Sequence, residues 1–239
     1  MKNNIVRVWA AVLLYWFVFG ALCTWLYPVV LSDVITRYAP MADHFAIGDF
    51  QYAFHPRFGV IFQVLSGSLV YLTGMGGDKA VQLVSIGFVA LAGVPLYLVM
   101  KRVFNERIAW WALALLLFCD HCNNLGMAGL RDSGKCLVFA LIAYGVIEKK
   151  SIYLGLGLFV LTTLVSYGFA CAAFLLFLWY VYYAIGKFRE SEHSIAAKSL
   201  IVPTLFFALG TAAVTWMTHA YTGHWLPSSN FIKAFGRWL

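Results

Sequence analysis

Residues 152–185 run for 34 positions without one charged side chain. As a single helix they would be about 51 Å long at 1.5 Å per residue. The hydrocarbon core of a bilayer is only about 30 Å thick. The stretch is therefore read as two short helices that meet at Ser166-Tyr167-Gly168, near its middle, where glycine permits a break.

Five more apolar runs have the character of spans: Ile5–Leu31, Ala80–Met100, Ile108–Leu130, Gly134–Ile147 and Leu200–Ala220. With the divided run they make about seven transmembrane helices. Only 11% of residues are charged, against about 25% in an average soluble domain, and the mean hydropathy is +0.81. Long apolar runs, rather than alternating segments of ten residues, argue against a barrel. The fold class is thus an all-α polytopic membrane protein, with residues 1–239 forming one membrane domain. The first run lacks a small-residue cleavage site and is read as a retained span.

The run Gly59–Gly74 is short, 16 residues, and contains Gln63, Ser66 and Ser68. Charge placement decides how to read it. If it does not span and the N-terminus is cytoplasmic, ten Lys and Arg lie inside and seven outside; if it spans, the counts reverse. The excess of Lys and Arg on the cytoplasmic side of membrane proteins favours the first arrangement. Residues 32–79 then form a first outer loop carrying an interfacial helix, and residues 221–239 form an outer C-terminal segment. All four glutamates fall on the inner face, and all six aspartates fall on or near the outer one.

The polar residues of that outer face are the candidates for chemistry. Asp33 follows the first span, where a solvated carboxylate can take a proton from an attacking hydroxyl or amine or simply mark the end of a helix. Arg37 stands four residues on, in reach of Asp33 if the segment is helical, and Tyr38 follows. Gly48 permits a tight turn before Asp49. In His55-Pro56-Arg57 the proline fixes the backbone, and Arg57 has the chemistry to hold a phosphate or a lipid headgroup. Arg131 and Asp132 lie between Gly129 and Gly134, with Lys135 next, where the third apolar run gives way to the fourth, and charges beside apolar runs are costly enough to point to function. At the end of the last span and just beyond it come His219, His224, Trp225, Pro227 and Ser228, which suit an interfacial anchor. Cys119-Asp120-His121-Cys122 lacks a second Cys/His pair at zinc spacing and points to a structural disulfide or packed thiols, not a metal site. No phosphate-binding loop, dinucleotide fingerprint or internal repeat is present in the sequence. The net charge of +7 is a matter of loop placement and does not indicate nucleic acid.

Taken in order, Asp33, Thr36-Arg37-Tyr38-Ala39, Gly48-Asp49-Phe50, His55-Pro56-Arg57 and then Arg131-Asp132 at the head of a span resemble the GT-C fold glycosyltransferases of family 39, the superfamily of protein O-mannosyltransferases and lipid A aminoarabinose transferases. Val34 stands where many of those enzymes have a glutamate, and Arg57 where many have a second proline. The resemblance implies a seven-span module with membrane-parallel helices in the first outer loop. It also implies that further spans follow Leu239, or that the chain is a minimal form.

The activity implied is transfer of a sugar from a polyprenyl-phosphate donor to a lipid, glycan or protein acceptor, with inversion. Asp33 would be the base. Arg37, Tyr38, Asp49, His55, Arg57, Arg131, Asp132 and Lys135 would bind substrate and phosphate. A divalent metal is a feature of some GT-C enzymes and not of others. The location implied is the plasma (inner) membrane, with the N-terminus cytoplasmic and the active face outward. A transporter or lipid flippase, and a non-catalytic membrane subunit, are the alternatives the sequence leaves open.

Overall fold

The computed structural model describes residues 2–26, 31–54, 59–164, 168–187, 193–223 and 225. Among them all regular structure is helical. The α-helices are α1 (Lys2–Leu26), α2 (Ala39–Ala46), α3 (Phe50–Ala53), α4 (Val60–Thr73), α5 (Gly77–Val103), α6 (Glu106–Phe118), α7 (Asp120–Met127), α8 (Gly134–Ile147), α9 (Ser151–Leu164), α10 (Gly168–Lys187) and α11 (His193–Thr222). A π-helical turn, Val34–Tyr38, precedes α2, and a 3-10 turn, Arg131–Ser133, precedes α8.

Among the described residues three helices are long and apolar enough to cross a membrane: Asn4–Leu26, Gly77–Val103 and Ser199–Tyr221. The other apolar runs make shorter helices. α4, α8 and α9 have 14 residues each, about 21 Å, which is short of the hydrocarbon thickness. The run Ile108–Leu130 is not one helix. Cys119 is extended, with φ −67° and ψ 122°, and it separates α6 from the polar α7, whose sequence is DHCNNLGM. In the 34-residue run, α9 ends at Leu164 and α10 begins at Gly168. α4 buries Gln63 and Ser66 and exposes Leu65, Tyr71 and Leu72, so those two polar side chains face protein.

The helices pack as two compact units, one of residues 1–53 with 62–140 and the other of residues 54–61 with 141–239. In the first, α5 is the central element. Its span is 67% buried, against 22% for α1. The α1 helix runs antiparallel to it: Val12 lies at Gly93, Trp16 at Gly87, and Gly20 at Leu83. The Trp16 indole N–H donates to the Leu83 carbonyl at 3.0 Å. α6 folds back along α5 after a turn in which the Asn105 side chain accepts from the Ile108 N–H at 2.9 Å. This is the ordinary N-cap chemistry of asparagine. Val12, Tyr97, Leu113 and Ile86 belong to the resulting core. Val6, Leu14, Phe17 and Trp25 of α1 face outward, an apolar stripe suited to acyl chains.

In the second unit, Gly145 meets Leu154 and Gly157 meets Ile142, which sets α8 and α9 as an antiparallel pair at close range. Small residues permit such approach between membrane helices. α11 runs parallel to α9, with Phe206 at Gly155 and Phe159 at Gly210. α10 joins them, and its Trp179 donates to the Ser199 carbonyl at 3.0 Å. The outward face of α11 carries Ile201, Leu205, Leu209 and Trp216.

Candidate functional site at the N-terminal end of α5

The turn that leads into α8 is held in place by α5. Gln82 and Ser85 are fully buried on α5. The Gln82 amide donates to the Met127 carbonyl at 2.7 Å, and the Ser85 hydroxyl to the Leu130 carbonyl at 2.9 Å. The Ser133 hydroxyl donates to the same Leu130 oxygen at 2.8 Å. A buried polar side chain costs free energy unless it is hydrogen-bonded, so these bonds fix α7 and the following turn against α5.

The turn itself is a Schellman motif. Gly129 has φ +71°, its N–H donates to Gly126, and the Leu130 N–H donates to Leu125, the paired bonds that end a helix with a left-handed residue. A Cβ on Gly129 would lie 3.2 Å from Val81 and 3.3 Å from Val34. Gly129 is therefore where the segment led by Val34 packs against the turn that carries Arg131.

This junction brings together residues the sequence holds far apart. Asp33 and Arg37 form an ion pair of 2.9 Å across one turn. Tyr38 is buried, and its ring lies 5.9 Å from the Arg131 guanidinium, within the range of a cation–π contact. Burial raises the Tyr38 phenol above its usual value; the charges of Arg131, Asp132, Asp33 and Arg37 all act on it. Lys135 pairs with Asp132 at 2.5 Å. Asp33, Arg37, Tyr38, Arg131, Asp132 and Lys135 thus form one electrostatic neighbourhood. The π-helical form of Val34–Tyr38 is itself a geometry often found at functional sites.

Asp49 belongs to a second, local group. Its carboxylate lies 2.8 Å from His44 Nδ1 and accepts from the Tyr52 N–H at 3.4 Å, while His44 stacks on Tyr52 at 4.1 Å. Gly48 makes the turn between them with φ +82°. His55 and Arg57 lie outside the described residues, as do His224, Pro227 and Ser228. His219 stacks on Trp225 at 3.5 Å.

Sequence reasoning gave Asp43 no role. Its carboxylate accepts from the Gly77 N–H at 2.7 Å, so it caps the first turn of α5 from another helix. Burial raises its carboxyl above the ordinary range, partly offset by that hydrogen bond. A Cβ on Gly77 would lie 2.2 Å from the Ala39 carbonyl oxygen, so only glycine lets α2 approach this closely. The sequence signal was Gly76-Gly77-Asp78, a helix start with no capping side chain of its own.

Among the described residues no group of three or more His, Cys, Asp or Glu side chains is arranged to hold a metal ion. Asp33 and Asp132 each face a cation instead. The donor set does not fit a divalent cation, and the chemistry below uses none. Comparison with known family models, with curated proteins and with solved structures gives no match.

Proposed function

We propose that the chain is a GT-C-like membrane glycosyltransferase that moves a sugar from a polyprenyl-phosphate donor to a lipid, glycan or protein acceptor at the N-terminal end of α5. In this reading the shorter apolar helices complete a seven-span module in the plasma (inner) membrane. The N-terminus is cytoplasmic, and the Asp33 end of the molecule faces outward. The observation that carries the proposal is the meeting of a carboxylate segment, Asp33–Tyr38, with a cationic turn, Arg131–Lys135, across the Val34–Gly129 contact. Such a meeting supplies a proton acceptor and phosphate-binding cations in one place.

The steps follow from the residues. Asp33 is exposed enough to reach an acceptor, with its side chain 57% accessible, and takes the proton as the acceptor oxygen or nitrogen attacks the anomeric carbon. The bond from that carbon to the phosphate oxygen breaks, and the lipid phosphate leaves with added negative charge. Arg131 and Lys135 stabilise that charge as it develops, and Arg131 presents a planar fork suited to phosphate. Asp33 pairs with Arg37 and Asp132 with Lys135; these ion pairs hold the carboxylates and cations ready and yield to the phosphate.

The test is transfer of labelled hexose from a polyprenyl-phosphate donor by the purified chain in nanodiscs, with membrane extract as the acceptor source. Asp33→Asn is expected to lower transfer about 100-fold or more while donor binding is retained. Unchanged transfer by Asp33→Asn removes Asp33 as the base. Movement of donor across a vesicle membrane with no transfer supports a flippase and overturns the enzyme reading.

A further inference from the structure

The group around His44 and Asp49 lies outside the reaction centre. Its geometry is set by the turn that ends α2. The Gly48 N–H donates to Phe45 at 3.1 Å and the Asp49 N–H to His44 at 2.9 Å, with Gly48 at φ +82°. These are again the paired bonds of a Schellman motif, and they return Asp49 over His44. The side chains at these two positions ordinarily make an apolar contact. Here an imidazole and a carboxylate meet instead, 2.8 Å apart. An exposed pair of this kind adds little stability, so holding the turn does not account for it.

Asp49 Oδ2 holds His44 through Nδ1, and Oδ1 accepts from the Tyr52 N–H at 3.4 Å. In the neutral ring the proton then lies on Nδ1, toward the carboxylate, and Nε2 is left as an acceptor. The Tyr52 ring stacks on the imidazole with centroids 4.1 Å apart. All three side chains remain within reach of a ligand: His44 is 35% accessible and Asp49 44%, and Tyr52 is exposed.

We propose that His44, Asp49 and Tyr52 form a saccharide-binding subsite that holds a non-reacting sugar unit of the acceptor, which makes the acceptor a glycan. The role as acceptor rests on the transferase reading; the binding of a sugar does not. His44 Nε2 and the Asp49 carboxylate are acceptors, so they require O–H or N–H donors. Asp43 stands next to His44, and no Lys or Arg occurs between Arg37 and Arg57, so the local charge repels phosphate. An exposed aromatic ring beside a few oriented polar groups suits a pyranose, which lays its C–H face on the ring while its hydroxyls donate.

The same helical segment ties this group to the reaction centre. The π-helical turn passes into α2 without a break, since Tyr38 and Ala39 both have helical backbone angles. Arg37 and His44 are seven residues apart and share one side of it, about 10 Å apart along the axis. That separation suits a saccharide chain running away from the reacting end.

The experiment measures binding with no donor present. The full chain in nanodiscs is given linear trisaccharides of mannose, of glucose and of N-acetylglucosamine, and saturation transfer to the sugar protons is read by NMR. At least one is expected to receive saturation above that from empty nanodiscs and to resist displacement by inorganic phosphate. His44→Phe keeps a ring against Tyr52 but removes Nε2, and should weaken that sugar about tenfold. Tyr52→Ala should weaken it by a similar factor, whereas Tyr52→Phe should not. Absence of saturation for all three sugars overturns the subsite, as does binding that His44→Phe and Tyr52→Ala leave unchanged. Binding of a lysine tripeptide in place of the sugars assigns the group to a cationic partner and also overturns it. The wild-type result needs no variant, so misfolding of one cannot mask the answer. Sugar binding without transfer leaves the subsite standing while the transferase reading fails, and transfer without sugar binding does the reverse.

Discussion

The two ends of α5 are built differently. At its C-terminal end, Lys101 pairs with Glu106 at 2.7 Å, and the Asn4 amide donates to the same carboxylate. These residues join the start of α1 to a tight helical hairpin. Basic residues in the last turn also suit the negative end of the helix dipole. Nothing more than a connector is needed to account for them. At its N-terminal end, α5 is capped by Asp43 from α2, holds the α7 turn through Gln82 and Ser85, and stands beside a group of carboxylates, cations and a buried tyrosine. Connecting three helices does not require a buried phenol facing an arginine. The difference teaches where to look for chemistry: at the end where distant segments converge, not at the end where neighbours pair.

The largest effect expected of this contrast is on activity. Arg131→Ala should reduce sugar transfer about 100-fold, the cost of removing one donor to a developing anion, while Arg102→Ala at the opposite end should leave it within about twofold. Equal losses at both ends, measured on protein with matched thermal unfolding, would erase the distinction.

Stability comes next. Gly129→Ala should cost about 1–3 kcal/mol, because a left-handed backbone is strained for any side chain and the added methyl meets Val81 and Val34. Denaturant or thermal unfolding reads the loss directly. A neutral outcome would mean that the Val34–Gly129 junction does not hold the two segments together.

A smaller effect is expected at Asp43. Asp43→Ala should lose about 1–2 kcal/mol with the hydrogen bond to Gly77, whereas Asp43→Asn keeps an acceptor there and should lose less. The pH dependence has a definite sign. Burial raises the folded carboxyl above its unfolded value, so the folded state binds the proton more tightly. That contribution to stability is present below the unfolded pKa and is lost as pH rises through the folded one. Asp43→Asn should therefore flatten the stability profile across the acid range, as unfolding at several pH values would reveal.

The smallest effect lies in the second unit. There Lys149, with φ +53°, holds the left-handed position that Gly129 and Gly48 hold in the first. The Lys150 N–H donates to Gly145 as in the other turns. Lys149→Gly should stabilise by about 0.5–1 kcal/mol by removing the left-handed cost of a side chain, with no change in transfer.

Much of this was legible one segment at a time. The Asp33–Arg37 spacing gave a pair that exists, and Gly48 gave a turn that exists. The membrane character followed from long uncharged runs and a low charge content, and among the described residues three helices long enough to cross bear it out. Less legible was the run Ile108–Leu130. Its ends are apolar, but Asp120, His121, Asn123 and Asn124 sit within it, and the chain leaves the helix at Cys119 to give them a helix of their own. The contact of Tyr38 with Arg131 was hidden for a different reason. It depends on Gly129 meeting Val34, and neither helical periodicity nor charge counting registers a contact between segments so far apart. Asp43 was missed because it caps a helix other than its own.

The contrast between the two ends is tested most directly by locating the donor lipid. A photoreactive polyprenyl-phosphate analogue, bound to the wild-type chain in nanodiscs and cross-linked by light, would be mapped by peptide mass spectrometry. The account predicts labelling within residues 32–43 and 126–135, suppressed by unlabelled polyprenyl phosphate and weakened by Arg131→Ala. Labelling concentrated at residues 101–107, or labelling that unlabelled lipid does not suppress, would contradict it.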